Sequence, residues 1–300
     1  MDWFLGMQKA IDYLEANLTE EIDYEAVAAQ CFSSSYHFQR MFGILCGYTL
    51  GEYIRNRRLS LAGAELAATG DKVINVALKY GYDSPDSFAK AFKAFHGILP
   101  SQARNGGGKL RSFSPLVLNL SLKGGSIMEY VIKEMPELVV TGYKKRFSGV
   151  PGERAEQEKE LYIHTRALQY LLNGMSTHPE TMCNVIANVD DGGFDFWITQ
   201  QLTESVRKNI HKSSVLGDPY ANEFEDLVIP AHTYAVFETE RCRYPTTVFL
   251  NLRKRIVTDW LPGSGYRFAD APELVMAHWF EGDRKKERYY ELWIPIEKAE

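Results

Sequence analysis

Long apolar runs are missing from this chain. Nowhere do its 300 residues reach the ~20 consecutive apolar positions that a membrane helix needs. Paired cysteines are missing too. Cys31, Cys46, Cys183 and Cys242 form no C-x-x-C spacing, so the sequence proposes neither a zinc ribbon nor a redox pair. No metal site and no cofactor are expected. The opening MDWFLGMQKAIDYLEANL carries an acid at position 2 and soon turns amphipathic, which is unlike a signal peptide. The expectation is a cytoplasmic chain with reduced, mostly buried thiols. A convincing nucleophile–histidine pair is also lacking. His232 and His278 read as ordinary strand residues, so no catalytic residue is assigned and an enzyme is not the expected class.

What is present begins with Ser33–Phe42, SSSYHFQRMF. It reads as the recognition helix of a helix-turn-helix. Ser34 is a natural N-cap, its hydroxyl accepting from the free amides of the first turn. Phe38, Met41 and Phe42 recur at helical spacing and face a core. Ser35, Tyr36, Gln39 and Arg40 then point the other way. Gln and Arg can make bidentate bonds to adenine and guanine edges. Around this helix the spacing predicts a helix over 2–17 and a short one over Asp23–Gln30, capped by Asp23. A longer helix over Leu50–Leu66 follows, its charged face carrying Arg55, Arg57 and Arg58. The net charge of −5 argues weakly against nucleic acid, but its distribution argues for it. From Ser34 to Arg111, eleven Lys/Arg stand against five acids, the local basic excess of a DNA-binding face.

The pattern then repeats. Phe38, Arg40, Phe42 and Gly47 recur as Phe88, Lys90, Phe92 and Gly97, at a spacing of 50. In the second unit Gly81 supplies a tight turn, Ser84 caps and Pro85 occupies the first helical position. Two such units joined by a long helix would place two recognition helices in successive major grooves.

With YGYDSPDSFAKAF and the closing Phe92, Gly97-x-x-Pro100 and GILPSQAR, residues 5–104 resemble the AraC/XylS family of transcription regulators. The resemblance implies that Tyr36, Gln39 and Arg40 face the groove, with Asp86, Ser87 and Lys90 as second-unit counterparts. Leu99 stands where the family usually has serine. The second helix offers Asp86 and Ala89 where a richer donor set could stand. The first unit is therefore expected to carry most base readout and the second to lean on phosphates.

The character changes at NGGGK and again at KGGS, which read as hinges. Ser112–Leu122 could form a strand, but a structured linker packed on a domain is the preferred reading. From Ile127 the period shifts to strands: 127–135, Leu138–Phe147, Cys183–Asp190, Phe194–Leu202, Asp226–Ile229, His232–Thr239, Leu274–Phe280 and Glu287–Ile296. Helices are predicted over Glu153–Asn173, ended by Gly174, and over Tyr244–Leu261. The order is a β-β-α-β-β cycle run twice. Pro136 and Pro230 each precede an aromatic by seven residues, Tyr143 and Phe237. This fold class is two domains: an all-α tandem helix-turn-helix domain, then an α+β duplicated antiparallel-sheet domain with a central groove. The expected boundaries are 1–106, a linker over 107–126, and 127–300.

The closing strand, Tyr289–Ile296, alternates Tyr289, Glu291 and Trp293 against Tyr290, Leu292, Ile294 and Ile296. A glutamate in so apolar a strand either lies on a solvent face or pairs with Arg284 or Arg288, or it is an acid at the floor of an aromatic pocket suited to a lipophilic cation. IPAHTYAVF and the terminal YELWIPI resemble the GyrI-like effector-binding domain over 127–298. That resemblance matches the family's effector-contacting acid to Glu291. Tyr143, Trp197, Tyr234, Phe237, Trp279 and Trp293 are candidate aromatic walls. Together the halves predict a ligand-responsive transcription regulator with double-stranded DNA and a small effector as partners and RNA polymerase as a further candidate. It would act as a monomer or homodimer, away from membranes. The alternatives are that the second half is a hydrolase or scavenger, with Glu291 as general base, or a protein-binding module.

Overall fold

A computed structural model of the chain describes residues 3–118, 127–151, 155–210 and 224–299. Contacts divide it into two units, Met1–Gln39 with Tyr48–Lys123, and Arg40–Gly47 with Gly124–Glu300.

The helical half runs α1 (Trp3–Ala16), α2 (Tyr24–Ala29), α3 (Ser35–Cys46), α4 (Leu50–Thr69), α5 (Val73–Lys79), α6 (Pro85–His96) and α7 (Pro100–Arg104). Local signals set most of these ends. The Asp23 carboxylate accepts from the Glu25 amide. The Ser34 hydroxyl accepts from the His37 amide, and Ser84 caps α6 with Pro85 inside its first turn. Thr49 and Glu52 form a reciprocal capping box on α4, satisfying two amides that a helix start leaves open. Gly47 and Gly97 end α3 and α6 at positive φ. The repeat is visible in burial: Phe38 and Phe42, and Phe88 and Phe92, are all fully buried.

Arg57 and Arg58 depart from the expected charged face. Glu15 of α1 accepts from Arg57 Nε at 2.9 Å and Nη2 at 2.8 Å, and from the Tyr53 hydroxyl at 2.6 Å. Arg58 donates to the Leu18 and Glu20 carbonyls and lies against Gly81, where an added Cβ would meet its Nη1 at 2.6 Å. These cations clamp α4 to the start of the chain, and only Arg55 of the three is exposed. Residues 112–118 form no strand. Their backbone is held along this unit instead: Phe113 N donates to Ser60 Oγ, Leu116 N to the Tyr53 hydroxyl and Leu118 N to Gln8 Oε1, while Arg57 donates to the Phe113 carbonyl. The NGGGK turn is likewise bonded, Gly107 N to the Gln102 carbonyl. Residues 119–122 of the suggested strand, and the KGGS hinge, lie outside the described residues.

The second half contains β1 (Val131–Met135), β2 (Leu138–Phe147), α8 (Ala155–His164), α9 (Arg166–Met175), β3 (Thr181–Asp190), β4 (Gly193–Gln200), α10 (Glu204–Ile210), β5 (Glu225–Ile229), β6 (His232–Glu238), α11 (Thr246–Arg255), β7 (Tyr266–Phe268), β8 (Glu273–His278) and β9 (Tyr289–Lys298). The strands form one antiparallel sheet, ordered β1-β6-β9-β8-β3-β4-β2-β5, with β7 also on β9. The duplication is legible in that order. Each cycle lends its first strand to the other: β1 pairs with β6, and β5 with β2.

Two helices replace the single one expected over Glu153–Asn173, whose predicted start lies outside the described residues. Thr165 divides them. Its hydroxyl back-bonds to the Leu161 carbonyl at 2.6 Å and accepts from the Tyr143 hydroxyl, a side-chain competition that bends helices. Gly174 sits inside α9 rather than ending it. α11 gives way at Ile256–Trp260 to a wider turn before Pro262. β7 and α10 are elements the periodicity did not signal.

Phe32 carries positive φ, +54°, and is 75% exposed. Gly81 holds the matching place in the second unit at +79°. A bulky side chain in this region is strained. Phe32→Gly is therefore expected to stabilise the helical half by about 1 kcal/mol in chemical denaturation. Glu15→Ala should do the reverse, by about 3 kcal/mol, since it strands the buried Arg57 guanidinium.

Candidate functional site

In the helical half, the outward face of α6 is as expected. Asp86, Ser87 and Lys90 are exposed, and the Ser87 hydroxyl donates to the Ser84 carbonyl. On α3, Ser35, Tyr36 and Gln39 are half-buried, and Gln39 Nε2 donates to Ser35 Oγ at 3.0 Å. Arg40 does not point outward. It is 5% exposed and groups with the second unit. Its Nη2 lies 2.7 Å from Glu273 Oε2, the oxygen that Arg253 Nη2 also reaches at 2.8 Å. Its guanidinium stands over the Phe268 ring. The reason is that α3 buries a second stripe, His37, Arg40 and Ile44, besides that of Phe38, Met41 and Phe42.

The sheet's strict alternation sorts the predicted aromatic residues. Directly opposed residues share a face, and Glu291 opposes Glu238 on β6 and Met276 on β8. Following the register places Trp293, Tyr234 and Trp197 on that same face, where they pack with Val185, Val236 and Leu274. Tyr143 and Phe237 lie on the opposite face. Tyr143 packs beneath α8 and α9 with Phe147, Leu161 and Ile198. Phe237 packs edge-on against Trp260, ring centroids 5.0 Å apart. Trp279 lies just past β8, with the Arg288 guanidinium 4.0 Å over its ring. Four of the seven predicted positions therefore come together: Glu291, Trp293, Tyr234 and Trp197.

Glu291 is the polar centre of that face. His278 Nε2 lies 2.9 Å from Oε1, and Trp293 Nε1 donates to Oε2 at 2.8 Å. The side chains of Glu291 and His278 are 16% and 17% exposed. The expected partners Arg284 and Arg288 bind elsewhere, Arg284 to Glu287 and Glu180, and Arg288 to Glu281. His278, read from sequence as an ordinary strand residue, supplies the bond instead. It stacks parallel on Tyr289 at 4.2 Å, and the Thr181 hydroxyl meets its Nδ1 at 3.2 Å. Two lysines stand over the two tryptophans. Lys133 Nζ is 4.7 Å above the Trp293 ring and Lys144 Nζ 4.8 Å above Trp197. The Trp197 indole N–H, buried on this face, has no acceptor among the described residues.

The His278 bond holds the Glu291 carboxyl below the usual carboxylate range, with help from Trp293 and Lys133 and against burial. Burial pushes the Tyr234 phenol up to about 12 and the Cys183 thiol up to about 12. Both stay protonated at neutral pH. The face therefore holds a nearly buried carboxylate, Glu291, beside the half-buried Trp293 ring and the buried Tyr234 and Trp197 rings, with Glu238 and Lys133 on the same face. A carboxylate next to a ring face is chemistry suited to a positive, apolar molecule. The described residues contain no cluster able to hold a metal ion.

The helix-turn-helix domain family matches residues 27–106, and the integron-associated effector binding protein family matches 202–296. The HTH-type transcriptional activator AarP of Providencia stuartii is 46% identical over 92 residues, 31% of this chain and 68% of AarP. The chain belongs to the AraC/XylS family of transcription regulators. The regulatory protein SoxS of Salmonella typhimurium is 33% identical over 33% of the chain and 92% of SoxS. The solved structure of SAV2435 bound to tetraphenylphosphonium covers 57% of the chain and 94% of its own, with a TM-score of 0.43 and 14% identity. As an AraC/XylS-family member, the protein is a DNA-binding regulator of transcription, and its second half matches an effector-binding family. The transcriptional regulator Rob of Salmonella typhimurium is 40% identical over 31% of the chain and 32% of its own length. Among its described residues no helix is long and apolar enough to cross a membrane.

Because its folded-state pKa is depressed, Glu291 adds stability above the ordinary carboxylate value of 4.5, and that contribution is lost as pH falls through the lower folded-state value. Glu291→Gln should remove this component. Denaturation midpoints taken between about pH 6 and about pH 3 should fall less steeply in the variant than in the parent.

Proposed function

We propose that the regulator senses a lipophilic organic cation on the sheet face that carries Glu291, Trp293, Tyr234 and Trp197. The observation that carries this reading is the carboxylate itself, ionised and nearly buried among aromatic rings. Tyr143, Phe237 and Trp279 lie away from that face and contribute through packing. DNA is read through Ser35, Tyr36 and Gln39 of α3 and through Asp86, Ser87 and Lys90 of α6. Arg40 joins the set in a state where its bond to Glu273 is released. The working division is a DNA-binding domain over 1–106, a linker over 107–126 and an effector domain over 127–300. The protein acts in the cytoplasm, as a monomer or homodimer and without catalysis, and RNA polymerase is its further partner. The regulators it resembles support sensing rather than turnover.

Calorimetry with tetraphenylphosphonium at neutral pH tests the effector site. Glu291→Gln should weaken binding at least about tenfold if the carboxylate meets the cation. Unchanged affinity removes Glu291 from the site. On the DNA side, Lys90→Ala should weaken binding alike on all sequences and lower the salt slope by about one. Gln39→Ala should instead cost ~1–3 kcal/mol and relax preference at one base pair. A sequence preference untouched by Gln39→Ala takes that residue out of base readout.

A further inference from the structure

We infer that His278 is the residue that sets the charge selectivity of the effector site, admitting a cation to Glu291 when its ring is neutral and excluding it when its ring is protonated. This deepens, and rests on, the reading of Glu291 as the effector's counter-charge.

Both oxygens of Glu291 already have donors, His278 Nε2 at 2.9 Å and Trp293 Nε1 at 2.8 Å. An ionised carboxylate only accepts, so His278 must carry its proton on Nε2. The other ring nitrogen meets a hydroxyl, Thr181 Oγ1 at 3.2 Å. A hydroxyl can donate to a bare Nδ1 or accept from a protonated one. The hydrogen-bond frame therefore accommodates both charge states of the ring. The stacked Tyr289 ring holds the imidazole in place in either state.

With the ring neutral, Glu291 keeps its full charge and gains from a second, cationic partner. With the ring protonated, the pair is neutral overall, and an incoming cation faces a positive charge 2.9 Å from the atom it seeks. The surrounding charges do not supply this switch. Lys133 approaches from β1 over Trp293. Glu238 opposes Glu291 from β6, with Arg241 3.7 Å from it and stacked over Tyr289. Glu180, beside Thr181, is paired to Arg284. None of them is histidine, the side-chain type that ordinarily changes charge between about pH 5 and 8. His232, edge-on to Tyr234, and His178, whose carbonyl accepts from Thr181 N, also lie near the face, and His278 is the one whose ring nitrogen meets Glu291. Trp293 holds its bond in both states.

A cation that prefers the neutral ring displaces a proton, so affinity rises with pH. Tetraphenylphosphonium is the suitable probe because its charge does not titrate. Its affinity for the full chain should fall about tenfold or more from about pH 8 to about pH 5.5. His278→Gln keeps an N–H donor for Glu291 without a titrating charge, and its affinity should change less than about twofold over that range. Near the low end, binding to the parent should release up to about one proton, read by calorimetry in buffers of different ionisation enthalpy, a measurement that stands even if the variant misfolds. Binding that depends on Glu291 yet is flat with pH, or releases no proton, overturns the role of His278 and leaves the effector site standing. Binding that ignores Glu291→Gln at about pH 8 overturns the effector reading itself.

Discussion

The pairing of the last strand governs the second half of the molecule. β9 lies inside the sheet, bonded to β6 on one side and β8 on the other. Its register decides which side chains can meet. Leu292, Ile294 and Ile296 are fully buried on one face, and their burial supplies the stabilisation, roughly 1.5–3 kcal/mol for each such side chain. Period-2 alternation then commits Tyr289, Glu291 and Trp293 to the other face, since a slip of one residue would invert both sets. Glu291 cannot leave that face without the apolar set leaving the core. It opposes Glu238 directly, a like-charge placement that is unfavourable by itself. Arg241 beside Glu238 and His278 beside Glu291 relieve it.

The duplicated order makes the two halves of the sheet comparable position by position. The spacing of 94 that carries Pro136 to Pro230 carries Tyr143 to Phe237 and Lys144 to Glu238. Lys144 opposes Trp197 as Glu238 opposes Glu291. Trp197 therefore holds in the first half the place that Glu291 holds in the second. One scaffold position has become an aromatic surface in one copy and a carboxylate in the other. That asymmetry gives one end of the face a carboxylate and the other an aromatic ring.

Much of the helical half was readable because its signals are local. Asp23, Ser34, Ser84 and Pro85 act on amides within three residues, and the phenylalanines repeat with the helix itself. The charge of Arg57 and Arg58 was readable, but not its destination, because Glu15 and the Leu18 and Glu20 carbonyls lie some forty residues away in sequence. Counting basic residues therefore overstated the basic surface. In the sheet, strand positions followed from alternation, while the break at Thr165 depends on Tyr143 reaching it from β2. His278 was the largest omission at the site. Its partner Glu291 sits across β8 and β9, and only the register Met276–Glu291 and His278–Tyr289 brings the two diagonally together. The aromatic residues could be nominated by type, but Tyr143 and Phe237 fall on the other face once the register is known.

A carboxylate that is already bonded changes what an effector can gain. On the proposed reading, a cation arriving at Glu291 would not meet a solvated anion. It would meet one held by His278 and Trp293, so its electrostatic gain is the difference between the complex and the existing bonds, not the whole of the new ion pair. Desolvation of the ligand subtracts further. On the proposed reading, affinity comes mainly from apolar area laid against the half-buried Trp293, which packs on the buried Tyr234 and Trp197, and charge acts as a filter on which apolar molecules are accepted. Such a division favours breadth of shape with narrowness of charge. An apolar ring face would tolerate many outlines, whereas a fixed carboxylate would reject anions whatever their outline. On the inferred role of His278, a histidine suits that carboxylate better than arginine, which in its place would hold the pair neutral at every pH and leave the filter closed.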